Sequence, residues 1–306
     1  MTSRRSTRKA NLFVIGAPKC GTTTLYRILA FHPNIFMSDP KEPWFFANHL
    51  SYRPIISRKE YESLFANANE SKYIYAGEAS VVYYIRDETI ERIMNYNEHA
   101  KFIYMVRNPV DFVFSWHAQM LRTGQETLRD PVAAWSAQEA RARGHRIPWS
   151  CANPELLLYR RMARLGSRGL AIEKIVPEEN LLIVHMNDLI HNYERIRRSL
   201  SEFLGLEDHF PPCVPKTNPR RVPRWIFLNQ TLSLAARLTR PLRLRIPSRS
   251  VSRFVHRIVG KTSDIVYHEE RAKEFRSFLE NELRSEIDIV RRWQTTDRTT
   301  PSHRPA

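Results

Sequence analysis

Gly16 and Gly21 stand five positions apart, and within and just after that interval lie Pro18, Lys19, Cys20, Thr22, Thr23 and Thr24. One lysine, three hydroxyls and several small residues in a short loop suit an oxyanion, because backbone N–H groups, a cation and hydroxyl donors can converge on one point. The glycine spacing is that of a phosphate-binding loop, yet Walker-type chemistry wants lysine directly after the second glycine and an acidic residue ending a later strand to hold magnesium. Here Thr22 follows Gly21, the lysine lies inside the loop, and the best later strand, residues 101–106, ends in Arg107. These residue types suit a polyanion held without a metal ion. A second chemistry-bearing pair, Lys41 and Glu42, lies between Pro40 and Pro43, which predicts a stiff, extended segment. Its plain alternative is a surface turn with an exposed ion pair.

The elements that must position these groups follow from periodicity. Residues 12–15 are a short, β-branched apolar run and residues 22–31 carry apolar side chains at helical spacing, so the loop joins a strand to a helix. His32-Pro33-Asn34 ends that helix. Strands are predicted at 35–37, at 73–76 running into Gly77-Glu78-Ala79-Ser80, at 101–106 and at 181–185. Helices are predicted at 61–66, at 87–96, from Pro109 onward with Ser115 turned inward on the second turn, at 155–164, after Asp188 as N-cap to about residue 204, and at 272–293. Residues 122–150 are polar and read as an insertion. Strands alternating with helices predict an α/β, P-loop-like three-layer fold, with a mostly parallel central sheet flanked by helices. Arg107 then falls at a strand's carboxyl end, where ligands gather in such sheets, although a lone arginine there is otherwise an ordinary surface charge.

The 306 residues, 42% of them hydrophobic, read as a disordered basic N-terminus (1–10), one domain (11–294) and a flexible tail (295–306). A formal charge of +16 favours an anionic partner without choosing among nucleotide, acidic glycan, nucleic acid or membrane. Much of it lies at residues 4–9 and 237–257, and either run also reads as a solvated surface. No nucleic-acid-reading signature accompanies the charge. Cys20, Cys151 and Cys213 form no disulfide-like or zinc-like spacing, which suits a reducing compartment. No signal-type apolar run follows the basic start, and no stretch of about twenty apolar residues occurs, so the expected location is cytoplasmic.

Three blocks carry a resemblance. PKCGTTTL, starting at Pro18, resembles the 5′-phosphosulfate loop of sulfotransferases that use 3′-phosphoadenosine 5′-phosphosulfate (PAPS). VRNPVDFVFSW, from Val106, is similar to that family's 3′-phosphate motif, and KEPWFF, from Lys41, resembles a segment of its heparan-sulfate and bacterial carbohydrate-type branch. The resemblance implies sulfuryl transfer to a hydroxyl acceptor, a carbohydrate or small metabolite, with PAP as product and no metal. It implies that Lys19 neutralises charge on the bridging oxygen, and that N–H groups from Cys20 to Thr23, with the Thr22 and Thr23 hydroxyls, hold the phosphosulfate within the loop from Pro18 through Gly21 to Thr24. It places Arg107 and Ser115 on the 3′-phosphate, with Lys216, Arg220 or Arg221 joining from a late proline-rich loop. Glu42 becomes the general base with Lys41 assisting, and Glu78 and His117 are further acceptor-side candidates, each with a structural alternative. The competing readings are a P-loop nucleotide kinase and a non-catalytic PAP or polyanion binder.

Overall fold

Five short apolar runs form the sheet: β1 (Leu12–Gly16), β2 (Ile35–Met37), β3 (Tyr75–Ala79), β4 (Lys101–Val106) and β5 (Leu181–His185). The computed structural model describes residues 8–215 and 269–295. All four pairings are parallel, in the order β2-β3-β1-β4-β5. Parallel strands need crossovers that cover both faces, so their sequences run apolar throughout. Each residue of β1 and β3 is buried. The order steps away from β1 in two directions, toward β3 and toward β4, so the chain segments leaving β1 and β4 diverge there and open a crevice at the carboxyl ends.

The described residues form two compact units, one of residues 8–109, 164–215 and 284–295, the other of 110–163 and 269–283. The first holds the sheet with α1 (Thr22–Phe31), α2 (Arg58–Ser63) and α3 (Asp87–Tyr96). Helix α1 ends at His32 in extended geometry, as its position before Pro33 requires. β3 lies two to three residues later than residues 73–76, because Gly77 passes close to its neighbours: a Cβ there would stand 2.6 Å from Met37 Sδ and 3.2 Å from the Leu12 carbonyl.

Pro109 opens α4 (Pro109–Arg122), which from Val110 onward belongs to the second unit, and α5 (Pro131–Ser136), α6 (Gln138–Ala142) and α7 (Tyr159–Met162) follow there. Asp130 caps α5 by accepting from the Val132 N–H at 3.1 Å. The polar stretch read as an insertion is organised around a buried carboxylate. Glu126, 0% exposed, takes both prongs of Arg141 (2.7 and 2.8 Å), the Tyr159 hydroxyl (2.9 Å) and the N–H groups of Thr127 and Leu128. In α11 (Glu269–Glu282), Phe275 packs against Phe114 and Trp135.

Several helical expectations change, and the one at 155–164 is a 3₁₀ turn (Pro154–Leu157) followed by the four-residue α7. The helix through Leu204 is two, α9 (Met186–His191) and α10 (Tyr193–Leu204), broken at Asn192. Its cap is His185, whose Nδ1 accepts from Asn187 N–H at 3.2 Å; Asp188 is buried instead, accepting from Asn192 and Arg195. The terminal helix is also two, α11 and α12 (Arg284–Thr295). Helix α8 (Leu165–Ile175) was not predicted, because Gly166 and Gly169 are poor helix formers. Both are there for packing against α12: a Cβ on Gly166 would meet Ile289 at 2.8 Å, and one on Gly169 would overlap the Trp293 ring. Gly169→Ala should therefore lower stability by about 1–3 kcal/mol through overpacking, read as a lower urea midpoint at unchanged slope.

Candidate active site

Gly16 ends β1 with φ +144°, and a Cβ on it would stand 2.6 Å from the Tyr84 ring and 2.8 Å from the Val81 carbonyl oxygen. Only glycine lets the root of the loop lie against that turn. Ala17 N–H donates to Met105 O (2.7 Å), which ties the loop to β4. Lys19 (φ +63°) and Gly21 (φ +89°) take left-handed geometry and turn the chain into α1. Thr24 and Leu25 N–H groups return to Gly21 O at 2.9 and 3.0 Å, while the first-turn N–H groups of Thr22 and Thr23 have no acceptor within the helix and sit at its positive pole.

Arg107 Nη1 donates to the Lys19 carbonyl at 3.1 Å, so the guanidinium that ends β4 sits on the loop after β1. Lys19 is part-exposed and Thr23 exposed, whereas Pro18, Cys20, Thr22 and Thr24 are buried. Burial pushes the Cys20 thiol up to about 12 in spite of the nearby Arg107 and Lys19 charges, so it remains a neutral thiol. Its N–H points back to Ala17 O at 3.4 Å.

Lys41 and Glu42 are in contact, Nζ to Oε1 at 2.5 Å, with side chains 18% and 29% exposed. Their segment is not extended as the flanking prolines suggest: Glu42 has φ +69° and Trp44 φ +55°. Tertiary hydrogen bonds impose the turn. Glu42 Oε2 accepts from Trp44 Nε1 (2.8 Å) and Val81 N–H (3.1 Å), and Trp44 N–H donates to Ser80 Oγ (3.1 Å). Val81 therefore links the two parts of the site, its N–H on Glu42 and its carbonyl against Gly16.

Arg107 thus lies on the loop that carries Lys19 into the N-terminus of α1, and the turn that holds Glu42 lies on the root of that loop; the sulfotransferase domain model matches residues 9–212. The chain belongs to the sulfotransferase family. It is 28% identical over 206 residues to the bifunctional heparan sulfate N-deacetylase/N-sulfotransferase 4 of Mus musculus, covering 64% of this chain and 22% of that protein. It is 27% identical over 211 residues to enzyme 3 of the same name in Homo sapiens, covering 66% and 23%. The match therefore spans under a quarter of these relatives' length. Among solved structures, a sulfotransferase from Alicyclobacillus acidocaldarius has TM-score 0.60 and 25% identity, over 75% of this chain and 95% of that one.

The two acceptor-side candidates, Glu78 and His117, are both buried. Glu78 is 0% exposed and accepts from Ser80 Oγ (2.6 Å), Tyr83 (2.9 Å) and Tyr61 (3.0 Å), which leaves it no face for an acceptor and no cation partner among the described residues. His117 is 1% exposed in the second unit, its Nε2 at 2.8 Å from Leu128 O and its ring edge-on to Tyr159, so it serves packing there. Ser115 is buried on the same helix, α4. Lys216, Arg220 and Arg221 lie outside the described residues.

Sequence reasoning missed Trp44, Ser80 and Val81, which make the Glu42 turn, and also His185. The latter ends β5 and is held below the usual histidine range, chiefly by burial, with the Arg107 charge acting the same way. A search for polar residues at strand ends would have found it. Burial raises the Glu78 carboxyl from the usual 4.5 to about 7, outweighing its three hydroxyl donors, and the Glu42 charge adds to the rise. A carboxyl raised on folding gives stability that is complete below its unfolded value and lost as pH climbs through the folded one. From pH 4.5 to 7, wild type should lose on the order of 3 kcal/mol that Glu78→Gln does not lose, measured as the difference between their denaturation free energies at pH 5 and pH 8.

Proposed function

We propose that this protein moves the sulfuryl group of PAPS to a hydroxyl acceptor, a carbohydrate or other small metabolite, by metal-independent in-line displacement in a reducing, cytoplasmic setting. The observation that carries the reaction is the convergence of Lys19, the α1 N-terminus and Arg107 on one loop, with Glu42 fixed beside its root by Val81. The donor set fits a polyanion: residues 16–24 contain a lysine and hydroxyls but no carboxylate, and an arginine lies against them. When bound, PAPS supplies an activated sulfuryl group and leaves as PAP. Lys19 and the first-turn N–H groups of α1 would bear on the phosphosulfate, where a fixed cation and dipoles stabilise charge that grows on the leaving oxygen. Arg107 would fork onto a phosphate.

Glu42 would take the acceptor's proton. Its Oε2 already has two donors, while Oε1 has Lys41 alone, leaving a lone pair on Oε1 for that proton. The three free cysteines support the reducing setting. Likeness to the two heparan sulfate enzymes supports a glycan, and their N-sulfotransferase names favour an amine as the second acceptor to screen.

Titration calorimetry with PAP, ADP and ATP, each without and with magnesium, tests the donor. Metal-independent PAP binding, stronger than ADP binding and weakened by Arg107→Ala, is expected; magnesium-dependent ATP binding with no preference for PAP would turn the reading into a nucleotide kinase. Once an acceptor is found, Lys19→Ala should lower kcat by about 10²–10³-fold. Glu42→Gln should cost about 10²–10⁴-fold in kcat at nearly unchanged PAP affinity; full turnover by Glu42→Gln would remove it as the base.

A further inference from the structure

We propose that Glu78 and Ser80 are positioning residues that hold the Glu42 carboxylate in place by fixing the backbone of the Trp44 turn, an inference that rests on the reading of Glu42 as proton acceptor. Glu42 and Trp44 both adopt left-handed backbone geometry with side chains that disfavour it. Such residues persist where the surroundings over-determine them, and they concentrate at functional sites.

The surroundings here have a defined polarity. A serine or tyrosine hydroxyl has one proton to give. Ser80 gives its proton to Glu78 Oε2 (2.6 Å), which turns its lone pairs toward the Trp44 N–H (3.1 Å). Tyr83 gives its proton to Glu78 Oε1 (2.9 Å) and accepts from the Phe46 N–H (3.3 Å). Tyr61 donates to the same oxygen at 3.0 Å. One buried carboxylate thus orients two hydroxyls so that each receives a backbone N–H from the segment carrying Glu42. From the far side, Trp44 Nε1 and Val81 N–H seize the Glu42 carboxylate itself.

Both relays run the same way when Glu78 is ionised and therefore acceptor-only, its form above about pH 7. A glutamine would keep one acceptor, but its NH₂ would confront a hydroxyl that must then reverse, releasing a backbone N–H. Stability alone gives no reason for a carboxylate there: it is fully buried without a cation among the described residues, an arrangement that costs desolvation. The cost has a purpose if a rigid Glu42 is what the site requires, since small misplacement of a reacting group is expensive in rate.

The test uses the full chain labelled with 5-fluorotryptophan, with the Trp44 line assigned by its loss in Trp44→Phe. Ser80→Ala, which removes one hydroxyl and leaves the carboxylate paired to both tyrosines, should shift the Trp44 resonance and lower kcat by about 10–100-fold while PAP affinity stays as in wild type. Ser80→Thr should restore both. Glu78→Gln should behave like Ser80→Ala. Wild-type kcat with an unmoved Trp44 resonance in both variants would overturn the inference, as would a loss of PAP affinity equal to the loss of kcat, which marks a general scaffold role. If wild type transfers nothing from PAPS, the proposed reaction is what has failed. The inference is then judged on the Trp44 line: a shift in Ser80→Ala reversed by Ser80→Thr supports the fixed turn, and an unmoved line refutes it.

Discussion

The close approach of the Gly16 backbone to Val81 and Tyr84 is the contact on which the rest of the site depends. No other residue type fits there, since a Cβ would overlap both a ring and a carbonyl. Because the approach is permitted, the turn after β3 lies on the root of the anion loop after β1. The same turn contributes the N–H that holds Glu42. A cationic loop and a carboxylate, from segments that would otherwise be independent, therefore share one residue, Val81. The parallel order of the sheet adds the third component, because β4 is the other neighbour of β1 and ends in the arginine that bonds to the loop.

Three carboxylates show how surroundings decide what a buried acid does in a chain with a formal charge of +16. Glu78 and Glu126 are both 0% exposed, so burial alone would raise both. It does so for Glu78, which has only neutral hydroxyl donors. For Glu126 the two-pronged bond from Arg141 and the N–H groups of its own turn outweigh burial, and the carboxyl falls below its usual range. Glu42 differs from both, being part-exposed, paired with one lysine and gripped through a single oxygen. Of the three, only Glu42 keeps an exposed face.

Much of the fold was legible because parallel sheets write themselves into sequence as short, fully apolar runs. The strands at 35–37, 101–106 and 181–185 stand where periodicity put them, and so does α3. The boundaries that failed did so where tertiary contacts overrode local preference. Gly77 lies inside β3 where a Cβ would crowd Met37 and Leu12; Gly166 and Gly169 are poor helix formers but make room for α12. Asp188 has the type of an N-cap, yet the helix started one turn from where that role would apply, and His185 took it.

For the site, the sequence by itself determined the chemistry of the loop: glycine spacing, an internal lysine and an arginine at a strand end specify a polyanion, because those properties belong to residue types and short separations. It also singled out Lys41 and Glu42. What it could not decide was their conformation, since the flanking prolines argue for an extended chain while hydrogen bonds from residues nearly forty positions away impose two left-handed residues. Nor could it say how far Glu42 and Glu78 are each buried. Only the tertiary structure buries Glu78 fully and leaves part of Glu42 exposed, because burial depends on contacts between segments distant in sequence.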